Sequence, residues 1–273
     1  MGSPLKQQLK RLPGMRAVRA RRWARRGLHL PVDSRLPARV DPTLVPETMD
    51  YWGARLVQTG MESYRGVPMW KFPEDLWIYQ HLLWLDRVDT VIEIGTRAGG
   101  SALWFRDTLA SMVRYGHIRR PRVVTIDLDT APVHDGLLKA DPEHEGIEIV
   151  EGNGADPGLP GEIERLIDGD ARCFVVDDSA HDYETTLAVL RGFSRFVEPG
   201  GFMVVEDGVV DVEELRSRVS DKTWARGVLP ALNDWLRSPE GSDFRVRPDL
   251  ELYGITCSPS GFLQRHPTQV SEG

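Results

Sequence analysis

From residue 90 onward the chain alternates short β-branched runs with segments of helical spacing, and this alternation constrains the fold more than any other feature. Strands are expected at 90–94, 122–126, 147–150, 173–176 and 202–205, with helices at 101–115, 162–167 and 183–196. The strands are near-continuous apolar runs, the pattern required when helices cover both faces of a sheet. Such alternation specifies an α/β architecture with a mostly parallel, doubly wound sheet. Near the end, 244–247 and 252–257 flank the turn at Pro248-Asp249 and are expected to add a C-terminal antiparallel pair. A helical segment at 73–86, rich in Trp, Leu and Tyr, precedes the first strand.

In an open α/β sheet, ligands bind outside the carboxyl ends of the strands, where strand order reverses. The first strand runs into Glu93-Ile94-Gly95-Thr96-Arg97-Ala98-Gly99-Gly100-Ser101. Gly95 lets the backbone turn and approach a ligand, Gly99 lets the next helix start against the sheet, and Ser101 is placed to cap it. Thr96 lies inside the same turn. Neither G-x-G-x-x-G nor G-x-x-x-x-G-K-[ST] is present, which argues against dinucleotide and P-loop chemistry. Glu93 suits a cationic ligand such as a sulfonium cofactor. Asp127, ending the second strand, can accept both ribose hydroxyls; the alternative is a strand-end cap on the next turn. Asn153, after the third strand, is placed on the adenine side.

The fourth strand runs into Asp177-Asp178-Ser179-Ala180-His181 and the fifth into Glu206-Asp207-Gly208. If the two strands are neighbours, Asp178, Glu206 and Asp207 meet beside the cofactor turn. Converging carboxylates repel, and a hard dication with oxygen ligands, for which Mg²⁺ fits, removes the conflict. Glu206 and Asp207 point the same way only if the chain turns there, which Gly208 favours. His181 is placed as general base for a hydroxyl acidified by that metal. The alternative for His181 is a hydrogen-bonded residue at a helix start.

Charge is unevenly spread. Residues 1–40 hold eleven Lys and Arg against Asp33 alone, while the remainder holds 23 basic and 40 acidic residues. An arm of this kind could be solvated, docked on the acidic body, or in contact with anionic lipid. An acidic body repels nucleic acid, so no nucleic-acid partner is expected. No apolar run is long enough to span a membrane, and no signal-peptide pattern follows the basic residues. Cys173 and Cys257 have no framework spacing and fit a reducing, cytoplasmic setting. The expected organisation is a basic arm and Pro-punctuated linker over 1–45, a helical or lid segment over 46–89, the α/β domain over 90–266 and a tail over 267–273.

The blocks EIGTRAGGSAL, TIDLD, VVDDSAHDYE and PGGFMVVED, with Lys71-x-Pro73-x-Asp75-x-x-x-Tyr79 before them and SPSGFL after, resemble the cephalosporin hydroxylase/rhamnosyl O-methyltransferase family. The resemblance runs from about 66 to 265. It implies a Rossmann-like class I methyltransferase fold, S-adenosylmethionine as methyl donor and Mg²⁺ at Asp178, Glu206 and Asp207. It also implies His181 as the base, with Glu93, Gly95, Thr96, Gly99, Ser101, Asp127, Asn153 and Asp178 around the cofactor. None of the seven His begins the His-x-Asp/Glu triplet common in non-haem iron oxygenases, so hydroxylase chemistry is not expected. The expected activity is Mg-assisted O-methylation of a sugar or glycosylated natural product by a homo-oligomeric enzyme. A catechol-like acceptor, with tryptophans lining its pocket, and a non-catalytic partner role are the alternatives.

Overall fold

The five apolar runs become neighbouring strands of a seven-stranded sheet in the computed structural model, which describes residues 46–218 and 225–268. In chain order the strands are β1 (Ser63–Tyr64), β2 (Val67–Pro68), β3 (Thr90–Ile94), β4 (Arg122–Asp127), β5 (Ile147–Glu151), β6 (Cys173–Asp177), β7 (Phe202–Val205), β8 (Phe244–Val246) and β9 (Phe262–Arg265). β1 and β2 form a separate small hairpin. The large sheet has the order β5-β4-β3-β6-β7-β9-β8, with β3 to β7 parallel and β9 antiparallel to both its neighbours. After β5 the chain returns to the far side of β3, so strand order reverses between β3 and β6. The carboxyl ends of those two strands flank the crevice where such sheets bind ligands.

The helices are α1 (Pro46–Thr59), α2 (Pro73–Asp86), α3 (Gly100–Arg114), α4 (Ala131–Ala140), α5 (Leu159–Glu164), α6 (Tyr183–Phe193), α7 (Glu213–Arg216) and α8 (Val228–Leu236). Phe174, Val175 and Val176 of β6 and Val91 and Ile92 of β3 are fully buried, as strands covered on both faces must be. Each such side chain contributes roughly 1.5–3 kcal/mol on leaving water. A second, smaller core joins Trp52 and Leu56 of α1 to Phe72, Val209 and Cys257. Trp52 Nε1 donates to the Thr256 carbonyl at 3.1 Å and so ties α1 to the loop before β9.

The structure corrects several expectations. The terminal antiparallel pair exists, but its second strand is β9 and not 252–257. That strand lies between β7 and β8, so it must be apolar on both faces; Phe262 and Leu263 are buried, whereas Leu252 and Tyr253 are half-exposed and Gly254 turns the chain with φ +74°. The short helix α5 lies three residues earlier than the expected 162–167, opened by Pro160 in its first turn. The helix expected to 196 stops at Phe193 and tightens into a 3₁₀ turn at Ser194–Phe196. The basic arm and linker over 1–45 lie outside the described residues. Among the described residues no helix is long and apolar enough to cross a membrane.

Candidate active site

A cavity of about 850 Å³ opens along the carboxyl ends of β3, β4 and β6. One end is made largely of backbone. Gly95 has φ +87°, and a Cβ there would lie 1.9 Å from the Asp178 carbonyl oxygen. The close approach that needs this glycine is therefore the chain leaving β6. Gly95 N donates to Ile126 O and Asp178 N to Ile94 O, each at 2.8 Å, so the turn is stitched to β4 on one side and β6 on the other. Asp127 Oδ2 accepts from the amides of Thr96 (3.0 Å) and Arg97 (2.7 Å) and fixes the turn's shape. Arg97 lays its guanidinium 3.2 Å above the Trp70 ring, a cation–π contact at the mouth.

Gly95, Thr96, Ser101, Asp127, Asn153 and Asp178 all line this cavity. Two residues expected around the cofactor, Glu93 and Gly99, do not line this cavity. Glu93 is fully buried beneath the turn, where Oε2 accepts from Thr125 Oγ1 at 2.7 Å. Gly99 faces Leu137 and Val133 of α4, and its φ of +84° makes it the N-cap position of α3. Ser101 is thus inside the helix and does not cap it; its hydroxyl lies 3.5 Å from that of Thr96.

The other end is made of charged side chains. Asp178, His181 and Asp207 each offer a ligand atom, all within 4.8 Å of one another. His181 Nε2 lies 3.1 Å from Asp207 Oδ2. The turn expected at Gly208 occurs one residue earlier, at Asp207 itself, with φ +56°; His181 has φ +58°. Two non-glycine residues in the left-handed region carry strain of about 1 kcal/mol or more each, held by the fold around them. Gly208 has another reason: a Cβ would meet Leu229 and the Pro259 carbonyl.

Glu206 does not join the other two carboxylates in the cavity. It is buried, and its Oε1 accepts from Lys71 Nζ and Tyr79 OH, both at 2.7 Å. The same Lys71 ammonium lies 2.8 Å from Asp178 Oδ2. Burial lowers the ammonium's pKa, but Asp178, Glu206 and Glu93 outweigh it and leave it well above the usual lysine value. Desolvation raises the carboxyls of Asp178, Glu206 and Asp207; Lys71 opposes this at Asp178 and Glu206, and His181 opposes it at Asp207. Burial alone would depress His181, yet Asp207, Asp178, Asp177 and Glu206 raise it above the ordinary histidine value. Hard carboxylate donors in an excess of negative charge fit a dication such as Mg²⁺, with Asp178 and Asp207 as its oxygen donors.

Lys71, Asp75 and Tyr79 were visible in the sequence only as part of a motif. Their spacing of four places them along one line on and just before α2, the signal that could have assigned them a shared role. Asp75 is buried and its Oδ2 accepts from Cys257 N at 2.8 Å; burial, opposed by bonds from Thr256 and Cys257, pushes its pKa up to about 8. Cys257 itself lines the cavity, as do Val209 and, from α1, Leu56 and Val57. Among the described tryptophans Trp70 alone lines it.

The model of the Rhamnosyl O-methyltransferase/CmcI family matches residues 58–266. A rhamnosyl O-methyltransferase of Mycobacterium tuberculosis is 29% identical over 210 residues, covering 75% of this chain and 78% of its own. That of Mycobacterium leprae is 25% identical over 205 residues, covering 74% and 82%. A solved cmcI structure with Mg and SAM shares the fold, with a TM-score of 0.52 at 21% identity over 76% of this chain and 77% of that one. The expected class I methyltransferase sheet is the one observed. The chain belongs to the Rhamnosyl O-methyltransferase/CmcI family and is an O-methyltransferase.

Proposed function

We propose that this enzyme methylates a hydroxyl of a sugar or glycosylated natural product with the help of Mg²⁺. The observation that carries the reading is the cluster of Asp178, His181 and Asp207 within 4.8 Å, in the same cavity as the Gly95–Asp127–Asn153 end. The names of the mycobacterial relatives support a sugar acceptor, and the solved cmcI structure was described with Mg. The presence of Trp70 as the sole described tryptophan in the cavity weakens the catechol alternative, which called for an aromatic-lined pocket.

In this reading Gly95, Thr96, Ser101, Asp127 and Asn153 cradle the cofactor, with Asp127 dividing its oxygens between the turn amides and a ribose. Gly99 and Glu93 act at one remove, by shaping α3 and by bracing the strand beneath the turn. Asp178 and Asp207 hold the metal, and Glu206 stands behind them. Bound, the sulfonium cofactor supplies the methyl group and the dication acidifies the acceptor hydroxyl. His181, whose Nε2 lies 3.1 Å from Asp207 Oδ2, is the base placed to take the hydroxyl proton. The protein's main contributions are alignment and fixed charge.

The test is release of S-adenosylhomocysteine with rhamnosides and with a catechol as acceptors, in EDTA and after adding back Mg²⁺. Turnover of a rhamnoside that EDTA abolishes and Mg²⁺ restores is expected. Full turnover in EDTA would refute the metal, and a catechol outpacing every glycoside would refute the sugar.

A further inference from the structure

We propose that Lys71 is a positioning residue of the reacting end: its ammonium is the fixed counter-cation that sets how tightly the acid cluster takes a dication. The inference rests on the metal-assisted reading above.

Lys71 is about as buried as a lysine can be, at 2% exposure, and its ammonium bridges Asp178 Oδ2 and Glu206 Oε1 at 2.8 and 2.7 Å. A lysine almost never sits so deep unless its charge is matched. Here the match comes from residues 107 and 135 positions away, on the ends of two neighbouring strands. The ammonium is held from both sides along the chain. Trp70 before it is stacked on Arg97, and Phe72 after it is fully buried at the N-cap of α2. Tyr79, two turns along α2, donates to the same Glu206 oxygen.

Charge decides what this arrangement does. Asp178, Glu206 and Asp207 bring three negative charges, and Lys71 removes one. The cluster is left with net negative charge for a dication to balance, to which Asp177 and Glu93 add. By occupying one oxygen each of Asp178 and Glu206, Lys71 also keeps Glu206 from swinging into the cavity. Without the ammonium the cluster would draw a dication harder and in a different place.

The experiment is calorimetric titration of the full chain with Mn²⁺, alongside S-adenosylhomocysteine binding as the check on folding. Lys71→Met is expected to tighten Mn²⁺ by about tenfold, the effect of deleting a charge close to the ion in a partly screened site. Its S-adenosylhomocysteine affinity should stay within about twofold, because the cofactor turn is built separately. Lys71→Arg, which keeps the charge, should stay within about threefold of wild type for Mn²⁺. Glu206→Gln should weaken Mn²⁺ by about tenfold, and the double variant K71M/E206Q should return close to wild type. A folded Lys71→Met that binds Mn²⁺ no more tightly than wild type would overturn the proposal, since a purely structural lysine predicts that result. If Lys71→Met does not fold, the pair of E206Q and the double variant decides: a double variant as weak as E206Q overturns it. Wild type that takes up no Mn²⁺ would remove the metal reading and this one together, whereas Mn²⁺ uptake indifferent to Lys71 removes only this one.

Discussion

The two ends of the cavity are built by opposite means. The end proposed to take the cofactor is shaped by backbone: a glycine crossed by another strand's exit, and amides held by Asp127. The reacting end is shaped by charge: Asp178, His181, Asp207, Glu206 and Lys71, brought together from three separate parts of the chain. A backbone site tolerates little change of shape. A charge-built site keeps its shape when one group is neutralised, yet its chemistry depends on every charge.

The sharpest break of that comparison is at Gly95. Gly95→Ala would put a Cβ 1.9 Å from the Asp178 carbonyl at φ +87°. Neither partner can yield without disturbing both ends, so the variant should lose about 4 kcal/mol or more of stability and its S-adenosylhomocysteine binding. Gly66→Ala is the control: its φ is +84°, but no atom lies within 4 Å of the added carbon. It should cost only the backbone strain, about 1–2 kcal/mol. Urea midpoints of the two variants measure the difference, and equal losses would mean that conformation, not the strand crossing, governs Gly95.

Next in size is a change confined to charge. Asp207→Asn keeps the side chain's shape while removing a cavity carboxylate and the partner of His181. Turnover should fall by about 10²–10⁴ with S-adenosylhomocysteine affinity nearly unchanged. Single-turnover assays at saturating cofactor, paired with calorimetry, separate the two quantities. Parallel loss of both would show that the ends are not independent.

This division also explains what was legible in the sequence. The strands could be read because burial on both faces leaves an apolar run, and the glycine turn because Gly95 and Asp127 fall at strand ends. Helix α4 was missed because Pro132 and Gly136 look like breakers. Proline is tolerated in the first turn, and Gly136 is needed because a Cβ there would lie 2.2 Å from Ala98 O. Helix α8 carries Pro230 in the same permissive first turn. The strand at 262–265 was passed over for the 252–257 run, because central burial of the inserted strand is a property of the sheet rather than of the segment. At the reacting end Asp178, His181 and Asp207 were readable from strand-end position. The diversion of Glu206 was not, because it depends on Lys71 and Tyr79, more than 120 residues earlier.

A milder test concerns pH. Asp75 has a folded-state pKa of about 8, far above the usual 3.8, because burial disfavours its charged form. A folded state that holds its proton more tightly than the unfolded chain is most stable at low pH. That stability is fully present below about pH 4 and is lost as pH rises through 8. Asp177, raised to about 7, and Asp86, raised to about 6, act in the same direction lower in the range. Asp75→Asn retains an acceptor for Cys257 N, so it should flatten the upper part of the slope, recovering on the order of 2 kcal/mol at pH 8.5 relative to wild type. Urea midpoints from pH 5 to 8.5 measure it; an unchanged slope would place the Asp75 proton elsewhere.

The smallest expected effect lies where the two ends are adjacent in sequence. Trp70 stacks on Arg97 of the cofactor turn, while Lys71 beside it bridges the acids of the reacting end. Trp70 is nearly half exposed at 45%, so its cation–π contact is in the weaker range, about 0.5–1 kcal/mol. Trp70→Ala should therefore weaken S-adenosylmethionine by about two- to fivefold and leave turnover at saturating cofactor unchanged. Trp70→Phe should recover part of the loss. If Trp70→Ala instead lowered turnover without touching cofactor affinity, the stack would be acting through Lys71. The segment joining them would then be one device, not the seam between two.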